Sequence, residues 1–486
     1  MRSRNGWTRT GLVAAWMALL VGCAVNPVTG KRELSLVSAD QELRMGEQGD
    51  EAAVAEYGLY DDAGLAASVD RVGQKLAAIS ERPDLKWHFR VLDSPVINAF
   101  ALPGGYIYVT RGILATLNSE AQLAGVLGHE IGHVTARHSA RQATQQQLAG
   151  LGLGLGSVLI HGFDRYAGVA SEGLGLLFLK FSRDDETQAD ELGVKYTTRA
   201  RYDPREIPST YGMLNRMRQR EGGTLPTFLS THPDPGDREA RTRALADAAV
   251  GGTTGSLAVL RADYRKALDG VVYGEDPRQG YVESSRFFDP ALKLQVDFPP
   301  GWKIQNARSA VTARAAQGEA GLQLTLVKWQ GPDVGGYPAS LRQQGRIAAA
   351  SGGTSRVGGH EAWMGTVSAP DGKGGTQELL AAWVSWQSGS LLQWVGAPAA
   401  GGGVRASFTA CVESVRDLRD PARLAVQPAR LALRTPPGGL SLAAWLAQGT
   451  EGRLSVPASE IAWLNGLEES SVPPRGEPVK LPRFAP

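Results

Sequence analysis

At 486 residues the chain exceeds one compact domain on the scale of about 150 residues each, so several cores can be buried and a small disulfide scaffold is excluded. Lys plus Arg at 51 against Asp plus Glu at 49 leave a formal charge of +2, which offers no broad cationic footprint and excludes nucleic acid as a partner. Apolar residues at 42% and charged residues at 21% are those of a folded protein, and 60 glycines with 27 prolines predict many turns.

Residues 1–22 read as a signal peptide. Arg2, Arg4 and Arg9 make a positive start, and Gly11 to Val21 is an apolar run too short to span a bilayer. The run ends Leu20-Val21-Gly22-Cys23, which resembles a bacterial lipobox. That resemblance implies a lipid anchor on Cys23 and a tether over residues 23–39. The alternative is a free cysteine behind an ordinary signal peptide. Ala24 is not the aspartate that retains lipoproteins in the inner membrane, so the implied place is the inner leaflet of the outer membrane, on the periplasmic side. Cys411 is the only other cysteine, and a lipidated Cys23 leaves it no intrachain partner.

Residues 40–250 read as mainly helical, with apolar positions at three-to-four spacing around Leu43, Met45, Val54, Leu65, Val69, Val72 and Leu76. Trp87 to Leu92 alternates as a strand, and Ala99–Leu102 and Tyr106–Val109 flank Pro103-Gly104-Gly105 as a hairpin. Ser119, followed three residues on by Gln122, predicts a capping box and the start of a helix.

That helix contains His129-Glu130-Ile131-Gly132-His133. Histidines at i and i+4 lie about 40° apart around a helix and one turn along, so both rings reach one metal ion. Glu130 projects beside them as a base. The plainer alternative, two solvent-facing histidines, sits badly with the apolar residues around them. A zinc peptidase needs a third protein ligand and an open position for water. Glu186 is the candidate, and Asp190 one turn later is placed to accept a hydrogen bond from the far ring nitrogen of His129. The alternative for Asp184, Asp185 and Glu186 is a solvated acidic helix start. Between these motifs, Leu148–Ile160 and Leu174–Leu179 fall short of a membrane span. They read as helices packing over the catalytic pair, or as a membrane-contacting surface.

Together, Asn98-Ala99-Phe100-Ala101-Leu102-Pro103-Gly104-Gly105, the His129–His133 helix, Ser182-Arg183 with Glu186 and Ala189-Asp190, and Thr231-His232-Pro233 resemble the family of CAAX-prenyl proteases and the HtpX heat-shock protease. More narrowly they resemble its exported BepA and LoiP-like branch, over about residues 24 to 245. The resemblance implies a gluzincin endopeptidase with one zinc on His129, His133 and Glu186 and Glu130 as catalytic base. It also implies His232 as a regulatory fourth ligand; a solvent-facing or helix-capping loop histidine is the alternative. Arg238 either orients substrate carbonyls or pairs with Asp190, and Asn98 either positions a strand edge for an extended substrate or belongs to a tight hairpin. His88, His138 and His161 receive no role, since on one continuous helix His138 lies about 140° around from His133.

Residues 251–276 read as a linker, and residues 277–425 as a small α+β domain, from the alternation in Leu292–Phe298 and Leu322–Leu326. Trp302, Trp363, Trp383, Trp386 and Trp394 are expected in its core. Residues 428–486 weakly resemble a degenerate LysM module, which implies peptidoglycan contact; a structural cap is the alternative. The expected architecture is multidomain: a mainly α zinc-peptidase domain with a small β-hairpin sheet, a small α+β domain and a LysM-like segment. The expected function is a zinc-dependent endopeptidase of the cell envelope acting on unfolded or misassembled envelope proteins. A zinc-bearing chaperone or assembly scaffold is the rival.

Overall fold

Among the described residues, a short strand pair and two capped helices come first. The computed structural model describes residues 23–153, 181–220, 228, 231–232, 237–316, 320–371, 375–397, 404–449 and 452–484. Residues 1–22 therefore lie outside the described residues, as do most of Leu148–Ile160 and all of Leu174–Leu179. Cys23 begins a short strand, Cys23–Val25, paired antiparallel with Arg32–Leu34. Ser38 and Gln41 form a complete capping box at the start of helix Ala39–Tyr57, and Asp62 caps Ala63–Ala77. The second helix buries Leu65, Val69, Val72 and Leu76, the three-to-four spacing read from the sequence. No helix among the described residues is long and apolar enough to cross a membrane.

A three-stranded sheet follows. Tyr106–Thr110 is its centre, parallel to His88–Leu92 on one side and antiparallel to Ala99–Leu102 on the other. The tight turn of the hairpin holds Gly104 at φ 78 and Gly105 at φ 94, a region that favours glycine.

Helix Glu120–Thr135 carries the His-Glu-x-x-His pattern and is buried along its whole length. Ser119 Oγ accepts from the Gln122 amide as expected, but Gln122 Oε1 accepts the N–H of Asn118 at 2.6 Å, so only half of the predicted box forms. Helix Arg183–Arg199, begun by the Ser182–Asp185 capping box, packs directly against it. The approach is close because both helices present small residues: a Cβ on Gly128 would lie 3.2 Å from the Gly193 carbonyl oxygen, and one on Gly132 3.2 Å from Ala189 Cα. Backbones this near one another bring side chains of both helices to one point.

The predicted linker holds structure of its own. Arg261–Ala267 is a helix, and its Tyr264 is buried with the hydroxyl donating to Leu114 O at 2.8 Å. The tertiary contact, not local sequence, orders that stretch.

Residues 281–417 build a four-stranded sheet and a seven-stranded antiparallel sheet. The larger has helix Val404–Glu413 on one face, in a core with Trp386 and Trp394. Helix Gly336–Gln343 lies on the other, in a core with Trp363 and Trp383. Trp302 is half-buried at the margin of the first core.

The last segment pairs Arg430–Arg434 with Val479–Arg483 and places helices Leu442–Leu446 and Ala458–Leu464 between them in sequence. It is fastened to the first domain. Trp463 Nε1 donates to Met213 O at 3.1 Å, and Asn118 Nδ2 donates to Leu464 O at 3.2 Å. Lys480, fully buried, donates from Nζ to Ala115 O and Leu117 O, both at 2.7 Å. Those carbonyls end helix Arg111–Thr116, where the backbone dipole is negative and suits the Nζ donors, while burial pushes the Lys480 amine well below its ordinary value. Lys480→Met is expected to leave both carbonyls buried without a donor and to cost about 2–4 kcal/mol in thermal unfolding. A change below about 0.5 kcal/mol, the usual size of a surface substitution, would show that the contact contributes nothing.

Candidate metal centre

Four buried side chains converge between the two packed helices. His129, His133, Glu186 and His232 are the group among the described residues whose ligand atoms all lie within 4.8 Å of one another. His129 Nε2 is 3.0 Å from His133 Nε2, 3.4 Å from Glu186 Oε2 and 3.3 Å from His232 Nδ1. His133 Nε2 is 3.5 Å from Glu186 Oε1, and His232 Nδ1 is 3.0 Å from the same oxygen. Ligands about 2.0–2.1 Å from a tetrahedral zinc stand about 3.3–3.4 Å apart, so the spacing is that of four donors around one small cation.

The chemistry of the donors fits such an ion. The two Nε2 atoms and the Glu186 carboxylate are acceptors facing one another, an arrangement that costs free energy unless a cation lies between them. Glu186 Oε2 accepts no hydrogen bond, although the Arg238 guanidinium lies 3.0 Å away. Burial opposes protonation of His129, yet the adjacent carboxylates of Asp190 and Glu186 prevail and push it up to about 9, so the site attracts positive charge. The Glu186 carboxyl is held well below its ordinary range: His232 and His129 outweigh its burial.

Glu130 stands beside this cluster, fully buried, with neither carboxylate oxygen hydrogen-bonded and His232 Nε2 3.6 Å from Oε1. Burial pushes its carboxyl above the ordinary value, toward the range in which a general base works near neutral pH.

Behind the cluster, Asp190 is the hub of an ion-pair network. Its Oδ1 is 3.1 Å from His129 Nδ1, accepts from Tyr211 Oη at 2.8 Å and pairs with Arg238 Nη2 at 2.5 Å, while Arg241 contacts Oδ2. This arrangement turns His129 Nδ1–H toward Asp190 and leaves Nε2 free for a ligand role. Arg238 pairs with Asp190, as one of the two alternatives expected. The side chain is 2% exposed, and its nitrogens face Asp190, Glu186, Tyr211 and the His232 carbonyl.

His232 is held by its own segment as well as by the cluster. Its ring stacks on Phe228 with centroids 4.7 Å apart, its N–H donates to Phe228 O at 2.9 Å, and Phe228 N–H donates to Ile97 O at 3.2 Å. The segment thus meets the chain just before strand Ala99–Leu102. Asn98, between them, is buried; its backbone pairs with Thr110, and its side-chain Oδ1 has no partner.

Sequence reasoning missed His138, Tyr211 and Arg241. Arg241 follows Arg238 by three residues on helix Arg238–Gly251, a same-face spacing that was legible. His138 was dismissed by an angle that assumes one continuous helix. The helix instead breaks at Arg137, at φ 57, and a second helix begins at His138, whose Nδ1 lies 2.9 Å from His133 Nδ1.

Residues 64–246 match peptidase family M48, a metallopeptidase family. Over 217 residues the chain is 34% identical to the mitochondrial metalloendopeptidase OMA1 of Schizosaccharomyces pombe, covering 43% of this chain and 61% of that protein. It is 32% identical over 242 residues to the beta-barrel assembly-enhancing protease of Yersinia pestis, covering 48% of this chain and 49% of that one. The protein of the same name from Escherichia coli K12 is 31% identical over 229 residues, with 45% and 47% covered. The chain therefore spans about half the length of these relatives. The peptidase resemblance carried by the motifs is borne out over that stretch.

Proposed function

We propose, from the premise that residues 64–246 match peptidase family M48, that the protein is a zinc-dependent endopeptidase of the bacterial cell envelope. Its substrates on this reading are unfolded or misassembled envelope polypeptides, in keeping with relatives named for β-barrel assembly. The observation that carries the reading is a buried carboxylate without hydrogen bonds, Glu130, beside a four-donor cluster.

On this reading His129 Nε2, His133 Nε2 and Glu186 hold the ion, and His232 Nδ1 lies at the fourth position. Zinc, when bound, supplies Lewis acidity and makes water a nucleophile near neutral pH. Glu130 takes the proton of the attacking water on a carboxylate oxygen and returns it to the departing amine. Asp190, fixed by Arg238, Arg241 and Tyr211, keeps the His129 ring in its ligating tautomer. The orphan Oδ1 of Asn98 supports a role in receiving a substrate N–H beside the strand edge. The lipobox-like Cys23 supports a lipid anchor at the outer membrane's inner leaflet, and the C-terminal segment remains a candidate for peptidoglycan contact.

Purified protein is expected to digest casein and to lose that activity with a chelator, recovering it with added zinc. Activity that survives chelation and dialysis would reject the reading.

One observation favours the rival scaffold: four converging protein donors describe a closed, structural zinc site rather than an open catalytic one. The two readings part at His232. For a restrained peptidase, His232→Ala opens the fourth position and raises basal cleavage and self-cleavage; for a scaffold, neither protein cuts. Slower cleavage by His232→Ala at equal zinc content would instead make His232 a residue that orients substrate.

A further inference from the structure

We propose that His138 is a positioning residue for the metal site: its Nδ1 accepts the Nδ1–H of His133 and so aims the His133 Nε2 lone pair at the ion. The inference rests on the metallopeptidase reading and extends it to a residue outside the His-Glu-x-x-His pattern.

Geometry decides which way the proton points. His138 Nε2 lies 2.9 Å from Gln188 Oε1 and 3.6 Å from Asp185 Oδ1, two acceptors on helix Arg183–Arg199. With acceptors on that side, Nε2 carries the hydrogen and a neutral His138 keeps its lone pair on Nδ1. That lone pair lies 2.9 Å from His133 Nδ1, which must then donate. His133 is left with its lone pair on Nε2, the nitrogen that faces His129 Nε2 and Glu186 Oε1. The opposite assignment would place a hydrogen on Nε2 of His133, between the lone pair of His129 Nε2 and the Glu186 carboxylate.

The backbone is built to make this contact. A continuous helix would carry His138 away from His133, but Arg137 takes the left-handed conformation at φ 57 and restarts the helix. Arg137 is held there by the N-terminal segment: Nε donates to Glu42 Oε2 at 2.9 Å and Nη2 to Val37 O at 3.1 Å, while Asn26 Nδ2 donates to Ala136 O at 3.2 Å. His138 is fully buried, so water cannot substitute for it at His133 Nδ1. His129 has Asp190 in the corresponding place, so each ligand histidine has a partner on its far nitrogen.

The test measures zinc affinity by chelator competition on the purified full chain, without reference to proteolysis. His138→Leu fills the space without an acceptor and is expected to weaken zinc binding about 10–100-fold, the range for loss of such a partner. His138→Asn returns an acceptor oxygen near the position of Nδ1 and is expected to recover most of the affinity. In parallel, nitrogen-15 spectra of histidine-labelled wild type should show His138 protonated on Nε2 and zinc-loaded His133 protonated on Nδ1, a readout independent of whether a variant folds. A His138 protonated on Nδ1, or His138→Leu binding zinc as tightly as wild type, overturns the proposal alone. Wild type that holds no stoichiometric zinc overturns the reading beneath it.

Discussion

Glu130→Gln is expected to yield a folded protein that retains its metal and cleaves casein at least about 100-fold more slowly than wild type, the usual loss when a positioned general base is removed. The substitution is close to isosteric, and no hydrogen bond ends on either Glu130 oxygen. No network breaks when one oxygen becomes an amide. Burial already pushes this carboxyl above its ordinary value, so a neutral group there should be at least as well tolerated as the charged one. Stability and activity are therefore predicted to separate, with the unfolding midpoint unchanged or raised while turnover falls. Near-normal turnover by this variant, at full metal content, would remove Glu130 from the mechanism.

Glu186→Ala and Asp190→Ala are expected to fail in different ways. Glu186 faces the cluster, so its loss should leave protein that cannot keep stoichiometric metal at low-nanomolar free zinc, while Arg238 remains paired with Asp190. Asp190 lies behind the cluster and is the buried counter-charge of Arg238, with Arg241 also on it. Its removal is expected to weaken metal binding about 10–100-fold. It should also cost about 3–5 kcal/mol of folding stability, because the buried Arg238 guanidinium loses its nearest counter-charge and keeps only the Glu186 carboxylate at 3.0 Å. Metal analysis after dialysis and denaturant unfolding distinguish the two. Stoichiometric zinc in Glu186→Ala would place the third ligand elsewhere, and unchanged unfolding of Asp190→Ala would show that water reaches Arg238.

The second histidine relay shows where reading along the chain stops working. His129 and His133 were legible because helix Glu120–Thr135 is regular between them, so four residues of spacing translate directly into a shared direction. His138 is five residues past His133, but one residue at φ 57 intervenes. Arg137 is neither glycine nor asparagine, and nothing local announces that it leaves the helix. What holds it is Glu42, some ninety residues earlier. An angular argument that is sound inside a helix has no force across such a break.

By itself the sequence determined the features that depend on a few neighbouring residues. These are the metal-binding helix pattern, the Glu186–Asp190 pair one turn apart, the Pro103-Gly104-Gly105 hairpin and the helix start at Ser119. Each follows from periodicity or from a side chain reaching its own backbone, interactions whose geometry is set within one or two turns. Only the tertiary structure decided that Arg238 pairs with Asp190, that His138 lies against His133, and that the predicted linker and Lys480 fasten onto the first domain. Those contacts join residues tens to hundreds of positions apart. Their partners are chosen by which buried charge or unpaired carbonyl must be satisfied once the helices have packed, a condition that does not exist until the core has formed.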